Sequence, residues 1–188
     1  MFFCRTCDAI QAPPSKPDVF AVFGCAETFD VDVGDIARRF KQLQVKLHPD
    51  KWASRTPGEL AIAEKTSALL NTSYQTLKSP AKRAEYLLAR RGIDLNDASS
   101  SAALGADFLM EMMELREDIE QAKQADDAAK LAALRSRVQR QMKLDSDALS
   151  SALRRARDEE ARVATLRLRY WQRAVDTLDG TPETDFGA

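Results

Sequence analysis

Ile36-Ala37-Arg38-Arg39-Phe40-Lys41-Gln42-Leu43-Gln44-Val45-Lys46-Leu47-His48-Pro49-Asp50 is the stretch that decides the fold. Ile36, Phe40, Leu43 and Leu47 recur at spacings of 4, 3 and 4, which puts them on one helix face turned to a core. Arg38, Arg39, Lys41 and Lys46 fall around the rest of that helix. Pro49 cannot continue a helix and biases His48 out of the helical region, so the helix stops at the His48-Pro49-Asp50 triplet. His48 is the only histidine of the chain. A polar turn would explain the proline but not the basic face before it. A new helix signal comes at Thr56-Pro57-Gly58-Glu59, a capping box with proline at the first helical position. The segment therefore reads as helix, loop, helix.

Before this hairpin, residues 18–24 read as a short helix ended by Gly24. Asp32 caps the basic helix, with Asp35 three residues on, near the positive end of its dipole. Beyond it, Ile62, Leu69, Leu70, Tyr74 and Leu77 point inward from the second hairpin helix. Ser79-Pro80 opens another helix through Tyr86, Leu87 and Leu88, closed by Gly92. Residues 93–106 are rich in Ser, Ala and Asp without periodicity and read as a linker. Three helical patterns follow: residues 107–123; a segment marked by Leu131, Leu134, Val138 and Met142; and residues 147–178, about 48 Å long at 1.5 Å per residue. Short connections between them predict an antiparallel three-helix bundle over 107–179. The tail 180–188 is expected to fray.

Composition agrees with an all-α chain. Of 188 residues, 44% are hydrophobic and 30% charged, with only seven glycines and seven prolines. A net charge of −1 points neither to nucleic acid nor to a membrane surface. No apolar run reaches the length that spans a bilayer. Three cysteines do not make a disulfide framework, and a reducing compartment is the default. One histidine without a nearby nucleophile cannot form a triad, and there is no glycine-rich phosphate loop. An enzyme finds no supporting residues.

The bundle's first helix carries more apolar residues than one stripe needs. Phe108, Met112, Leu115, Ile119 and Ala122 form a core face. Leu109, Met110 and Met113 are left beside it, with Glu114 and Glu117. In the last helix Leu168, Trp171, Val175 and Leu178 form the stripe, and Tyr170 falls off it beside Arg169. By periodicity alone the surplus is either a partner site or part of a wider buried face.

The helix, His-Pro-Asp loop and helix resemble the J domain, by which co-chaperones switch on the heat-shock-70 ATPase. Asn71-Thr-Ser-Tyr74-Gln-Thr-Leu77 with Pro80 and Arg83 looks like its third helix and exit. Asp18-Val-Phe20-Ala-Val-Phe23-Gly24, Leu43-Gln44, Arg83-Ala84-Glu85-Tyr86-Leu87-Leu88 and Asp107-Phe-Leu-Met-Glu111 are similar to one type of J protein, the HscB-type co-chaperone of iron–sulfur cluster assembly. The resemblance covers residues 18–179. It departs at Val19, where the family usually has an aromatic, which should weaken packing of the first helix.

The resemblance implies an L-shaped, two-domain protein, a J domain over 18–92 and a bundle over 107–179. It implies that Asp50 disturbs polar contacts in a heat-shock-70-type chaperone. His48 and Pro49 shape the loop, and the basic face, Lys41 foremost with Arg38 and Lys46, meets an acidic surface. Arg39 reads as ordinary solvated charge. Leu109, Met110, Met113 and Tyr170, with Glu114, Glu117 and Arg169 around them, would contact an IscU-type iron–sulfur scaffold protein. The rival within the class is a J protein that delivers a different client polypeptide.

In the leader 1–17, Phe2-Phe3-Cys4-Arg5-Thr6-Cys7 has the C-x2-C spacing of a zinc knuckle. One pair supplies two of the four ligands of a structural site. It resembles the second half of the four-cysteine element of eukaryotic HscB-type proteins, which favours the mitochondrial matrix over a cytoplasmic setting. The pair is either two free thiols or half a metal site. Two chains sharing one zinc through four cysteines would tie metal to a homodimer. No cofactor is required for either binding role. Cys25, beside a helix end, reads as a small buried residue.

Overall fold

The computed structural model describes residues 2–4, 6–7, 9–96, 100–184 and 186, with side chains except at 100 and 101. Its regular elements are helices, and the one β-type pairing among these residues is an isolated antiparallel bridge, Phe3–Ile10. The chain divides into two compact units, Met1–Arg83 and Ala84–Ala188.

In the first unit, α1 (Val19–Phe23) is capped by the Asp18 carboxylate, which accepts the Phe20 and Ala21 N–H groups. Gly24 ends it at φ 61°, a left-handed conformation that a side chain would strain. Val19 is buried despite its small size, with Phe20, Val22 and Phe23. α2 (Val33–Leu47) starts on Asp32, whose carboxylate accepts from the Asp35 N–H at 2.9 Å. Ile36 and Leu47 of its stripe are buried; Phe40 and Leu43 are half-buried. α3 (Pro57–Lys78) runs back along α2, and Phe40 stacks on Tyr74 with ring centres 4.2 Å apart.

Arg39 does more than expected of a solvated charge. Its guanidinium donates to the Phe23 carbonyl at 2.6 Å and pairs with Asp35 at 2.7 Å, so it ties α2 to the exposed carbonyls at the end of α1. Arg83 is buried, donates to the Leu77 carbonyl and lies over the Phe29 ring at 4.8 Å. Burial pushes it down to about 10.

The capping box at Thr56 is formed in both directions. The hydroxyl and backbone N–H of Thr56 hold the Glu59 carboxyl below the usual glutamate range. A carboxylate with a lowered folded pKa contributes stability that is present above its unfolded value and lost as pH falls through the folded one. Protection of the first-turn amides of α3, taken against their intrinsic exchange rates, should therefore fall only once pH drops below the ordinary glutamate value. Glu59→Ala should flatten that profile; a variant that keeps it would show the box to be irrelevant to the acid limb.

The second unit corrects three expectations. First, residues 93–106 are not a free linker. α4 (Pro80–Arg90) is followed by buried Leu95, α5 (Ser100–Leu104) and buried Leu104. Arg91 pairs with Asp158 at 2.9 Å, and Arg162 donates to the Asp94 carbonyl, so this stretch is fastened to the last helix. The unit boundary accordingly lies at Arg83, not near 92.

Second, the helix breaks differ. α6 (Ala106–Gln124) matches expectation, but α7 (Ala128–Arg154) runs past residue 147 and α8 starts only at Asp158 (Asp158–Asp179). The turn between them puts Ala156 at φ 52°. It closes with the Arg157 N–H on the Ala152 carbonyl at 3.0 Å, a helix-terminating bond made here without glycine. Third, the tail does not simply fray. Gly180 caps α8, the Thr184 N–H donates to Asp176 at 2.7 Å, and Phe186 is buried against the guanidinium groups of Arg169 and Arg173.

α6, α7 and α8 pack pairwise around Phe108, Leu115, Ile119, Val138, Leu149, Leu168 and Trp171. Asp145 of α7 is the polar node of this bundle. It accepts the Trp171 indole N–H at 2.7 Å and the Arg167 guanidinium at 3.0 Å.

Candidate functional site

The first unit presents its loop where Pro49 forces α2 to stop. His48 is extended (φ −60°, ψ 126°), and residues Pro49–Lys51 make one 3-10 turn. The Asp50 N–H donates to His48 Nδ1 at 3.3 Å, and the Asp50 carboxylate stands 3.5 Å from the same nitrogen. That carboxylate is 88% exposed. Sequence reasoning missed Trp52, which braces the loop from below. Its indole N–H donates to the Lys46 carbonyl at 3.2 Å, and its backbone N–H to the Pro49 carbonyl at 2.8 Å. An aromatic so close after the triplet was the available signal. Trp52→Ala should leave the helices intact but raise amide exchange at Asp50 and Lys51 severalfold, since it removes the indole bond to the Lys46 carbonyl and leaves only the backbone bond to Pro49. Unchanged exchange would remove Trp52 from the site.

Lys41 and Lys46 are exposed on α2, and among the described residues nothing pairs with either ammonium group. Arg38, 70% exposed at its side chain, is held by Asp35. Val45, 60% exposed, is an apolar residue off the core stripe and one turn beyond Lys41. It was also missed, although its place outside the 36–40–43–47 stripe could have marked it. The face is thus basic with an apolar centre, suited to an acidic partner surface; complementary charge sets orientation and on-rate more than affinity.

The second unit has its own face. Phe108, Met112, Leu115, Ile119 and Ala122 are buried, while Met110 and Met113 are 62% and 67% exposed. α6 and α8 are neighbours, and Tyr170 comes alongside Leu109 and Met113 to line a groove of about 390 Å³. Tyr170 is half-buried, edge-on to Phe108 at 5.8 Å, with Arg173 over its other side at 5.6 Å. Met110, Glu114 and Glu117 are exposed on α6 but do not line the groove. Arg169 does not reach it either. Its guanidinium is 9% exposed and is taken up by Glu85, the Asn96 side chain at 2.9 Å and the Leu95 carbonyl. One residue along α8 turns a side chain by about 100°, which separates Arg169 from Tyr170. Arg116, Arg173 and Glu183 instead supply the charged rim, and of these Glu183 comes from the tail.

The cysteine pair sits in a short hairpin. The Cys4 N–H donates to the Ala9 carbonyl at 2.9 Å and the Gln11 N–H to the Phe2 carbonyl at 2.8 Å. Backbone groups of Thr6 and Cys7 lower the Cys4 thiol. Among the described residues no group of three or more His, Cys, Asp or Glu could hold a metal. Two thiols fall short of a closed zinc site. Cys25 is half-buried, its thiol directed at the Phe20 carbonyl and pushed up by burial.

Residues 104–179 match the family described as the HSCB C-terminal oligomerisation domain. The human iron–sulfur cluster co-chaperone protein HscB is 34% identical over 177 residues, 94% of this chain and 74% of the human one. The chain belongs to the HscB co-chaperone family. An Arabidopsis thaliana HscB homolog is 31% identical over 176 residues, 94% of this chain and 68% of its own. The crystal structure of human HscB superposes with a TM-score of 0.77 at 32% identity, covering 95% of this chain and 88% of that one. Membership of the HscB family agrees with both units: a J-type hairpin in one, a three-helix bundle in the other.

Proposed function

We propose that this chain is an adaptor of iron–sulfur cluster assembly. It holds an IscU-type scaffold protein in the groove of Leu109, Met113 and Tyr170. It presents His48, Pro49 and Asp50, with Lys41, Lys46 and Arg38 beside them, to a heat-shock-70-type chaperone and stimulates its ATPase. The observation that carries this reading is the presence in one chain of two exposed sites of different character. One is a charged loop with an exposed carboxylate; the other is an apolar groove rimmed by charge. In this reading the chemistry is the chaperone's own ATP hydrolysis, which the loop stimulates. The relatives' names supply the iron–sulfur setting. Their eukaryotic sources, with the half knuckle at Cys4 and Cys7, favour the mitochondrial matrix. Among the described residues no helix is long and apolar enough to cross a membrane.

Calorimetry with a purified IscU-type scaffold tests the adaptor. The intact chain should bind, and Asp50→Asn should bind with unchanged affinity, because loop and groove belong to different units. Loss of the scaffold in the loop variant would sink the two-site reading. Stimulation of the ATPase without any scaffold binding would point to a different client polypeptide.

A further inference from the structure

The groove of the second unit is edged by a sulfur atom that the adaptor role does not require. Met113 lines it with Leu109 and Tyr170 and is 67% exposed. A leucine would fill that place with a similar apolar volume and no sulfur. Met110, three residues earlier on α6, is 62% exposed but stands outside the groove. The adjacent Met112 is buried at 8% exposure, and Met142 is half-buried. The thioethers of this unit thus differ widely in their access to solvent. All three cysteines, Cys4, Cys7 and Cys25, belong to the first unit. In the second unit the oxidisable sulfur is methionine's alone.

We propose that Met113 is a modification site for hydroperoxides and that its sulfoxide closes the groove. The thioether lone pair attacks the terminal oxygen of the hydroperoxide. The O–O bond breaks as the S–O bond forms, and the proton of the attacked oxygen passes to the leaving one. The sulfur is oxidised by two electrons, and the hydroperoxide is reduced to water or an alcohol. A flexible apolar side chain becomes a polar one. Covered by a partner, the new oxygen gives up its water beside Leu109 and Tyr170. The guanidinium one turn along, Arg116, already serves Glu120 at 3.3 Å and Glu183 at 3.9 Å. A polar group without a compensating hydrogen bond is costly to bury. Oxidised Met110, outside the groove, keeps its water and leaves the groove unchanged. The modification is independent of any partner; the loss of scaffold binding rests on the adaptor reading above.

The test treats the full chain with hydrogen peroxide, stopped with catalase while Met112 is still unmodified, and follows each methionine by fragment-ion peptide mapping. Met110 and Met113 should oxidise severalfold faster than Met112 and Met142. Calorimetry with an untreated IscU-type scaffold then compares each variant before and after peroxide. The unsubstituted chain and Met110→Leu should each lose about tenfold in affinity. Met113→Leu, from whatever affinity it starts, should lose none. Methionine sulfoxide reductases should reverse the loss. Cys4, Cys7 and Cys25 are common to all three proteins, so a difference among them belongs to the methionines. Oxidation of Met112 or Met142 ahead of Met113 would overturn the site. An equal loss in Met113→Leu, or undiminished binding once Met113 is fully oxidised, would overturn the closing of the groove. An untreated chain that binds no scaffold defeats the adaptor reading and the closing with it, while mapping still decides the modification.

Discussion

Asp50→Asn should abolish the stimulation of a heat-shock-70-type ATPase proposed for this chain, while its far-ultraviolet circular dichroism stays the same. The carboxylate is 88% exposed and its one close neighbour is His48, so removing the charge disturbs no core contact. On the adaptor reading, what is lost is the negative group presented to the chaperone. The effect expected in single-turnover hydrolysis is at least about tenfold, equivalent to about 1.4 kcal/mol. His48→Gln acts at the same point by a different route, since the imidazole nitrogen that accepts the Asp50 N–H is the loop's own brace. Normal stimulation by both variants would refute the J-type mechanism, whatever the likeness of fold.

Comparable in size, and opposite in kind, is the pair of results expected from α6. Phe108→Ala should cost about 3–5 kcal/mol of stability. The ring is 5% exposed, edge-on to both Tyr170 and Trp171, and covered by the Arg167 guanidinium at 4.4 Å. Truncating Leu109, Met113 and Tyr170 together should instead cost scaffold binding, at about 2 kcal/mol or more for each hot-spot side chain. Its stability loss should be small, mostly the edge-to-face contact of Tyr170 with Phe108, about 0.5–1.5 kcal/mol. Thermal melts and calorimetry on the same samples separate the two. If the triple variant unfolds, the groove is core; if it is stable and still binds the scaffold, the groove serves another partner.

Much of this fold was legible because its helix ends are written in side-chain chemistry. Asp32 and the Thr56–Glu59 box are caps whose partners lie within three residues, so a one-dimensional reading finds them. The core stripe of α6 was legible for the same reason, through its period. The missed features depend on tertiary contact. No residue type marks the turn at Ala156, because a non-glycine residue takes the left-handed conformation there and the bundle holds it. Residues 93–96 look like linker in composition, yet Leu95 is buried and the Asp94 and Leu95 carbonyls receive arginines from α8, 68 and 74 positions away. Arg169 was misplaced for that reason. Period distinguishes stripe from not-stripe, but it does not say which of several neighbouring elements an off-stripe residue will meet. The loop needed no such information, since Pro49 alone dictates where it must be. Trp52 and Val45, which give the loop its brace and its basic face an apolar centre, carried a signal in the sequence, but only the contacts around them say what they do.

The folded-back tail bears on how the molecule can be handled. Phe186 is lodged against Arg169 and Arg173, and Glu183 stands on the rim of the groove beside Arg116. Whatever follows Phe186 thus starts beside Arg173, on the rim of the groove that the adaptor reading gives to the scaffold. A purification handle or fused domain there would crowd that surface and make a competent groove look inert. A small fluorophore at the same place would serve as a built-in reporter of occupancy.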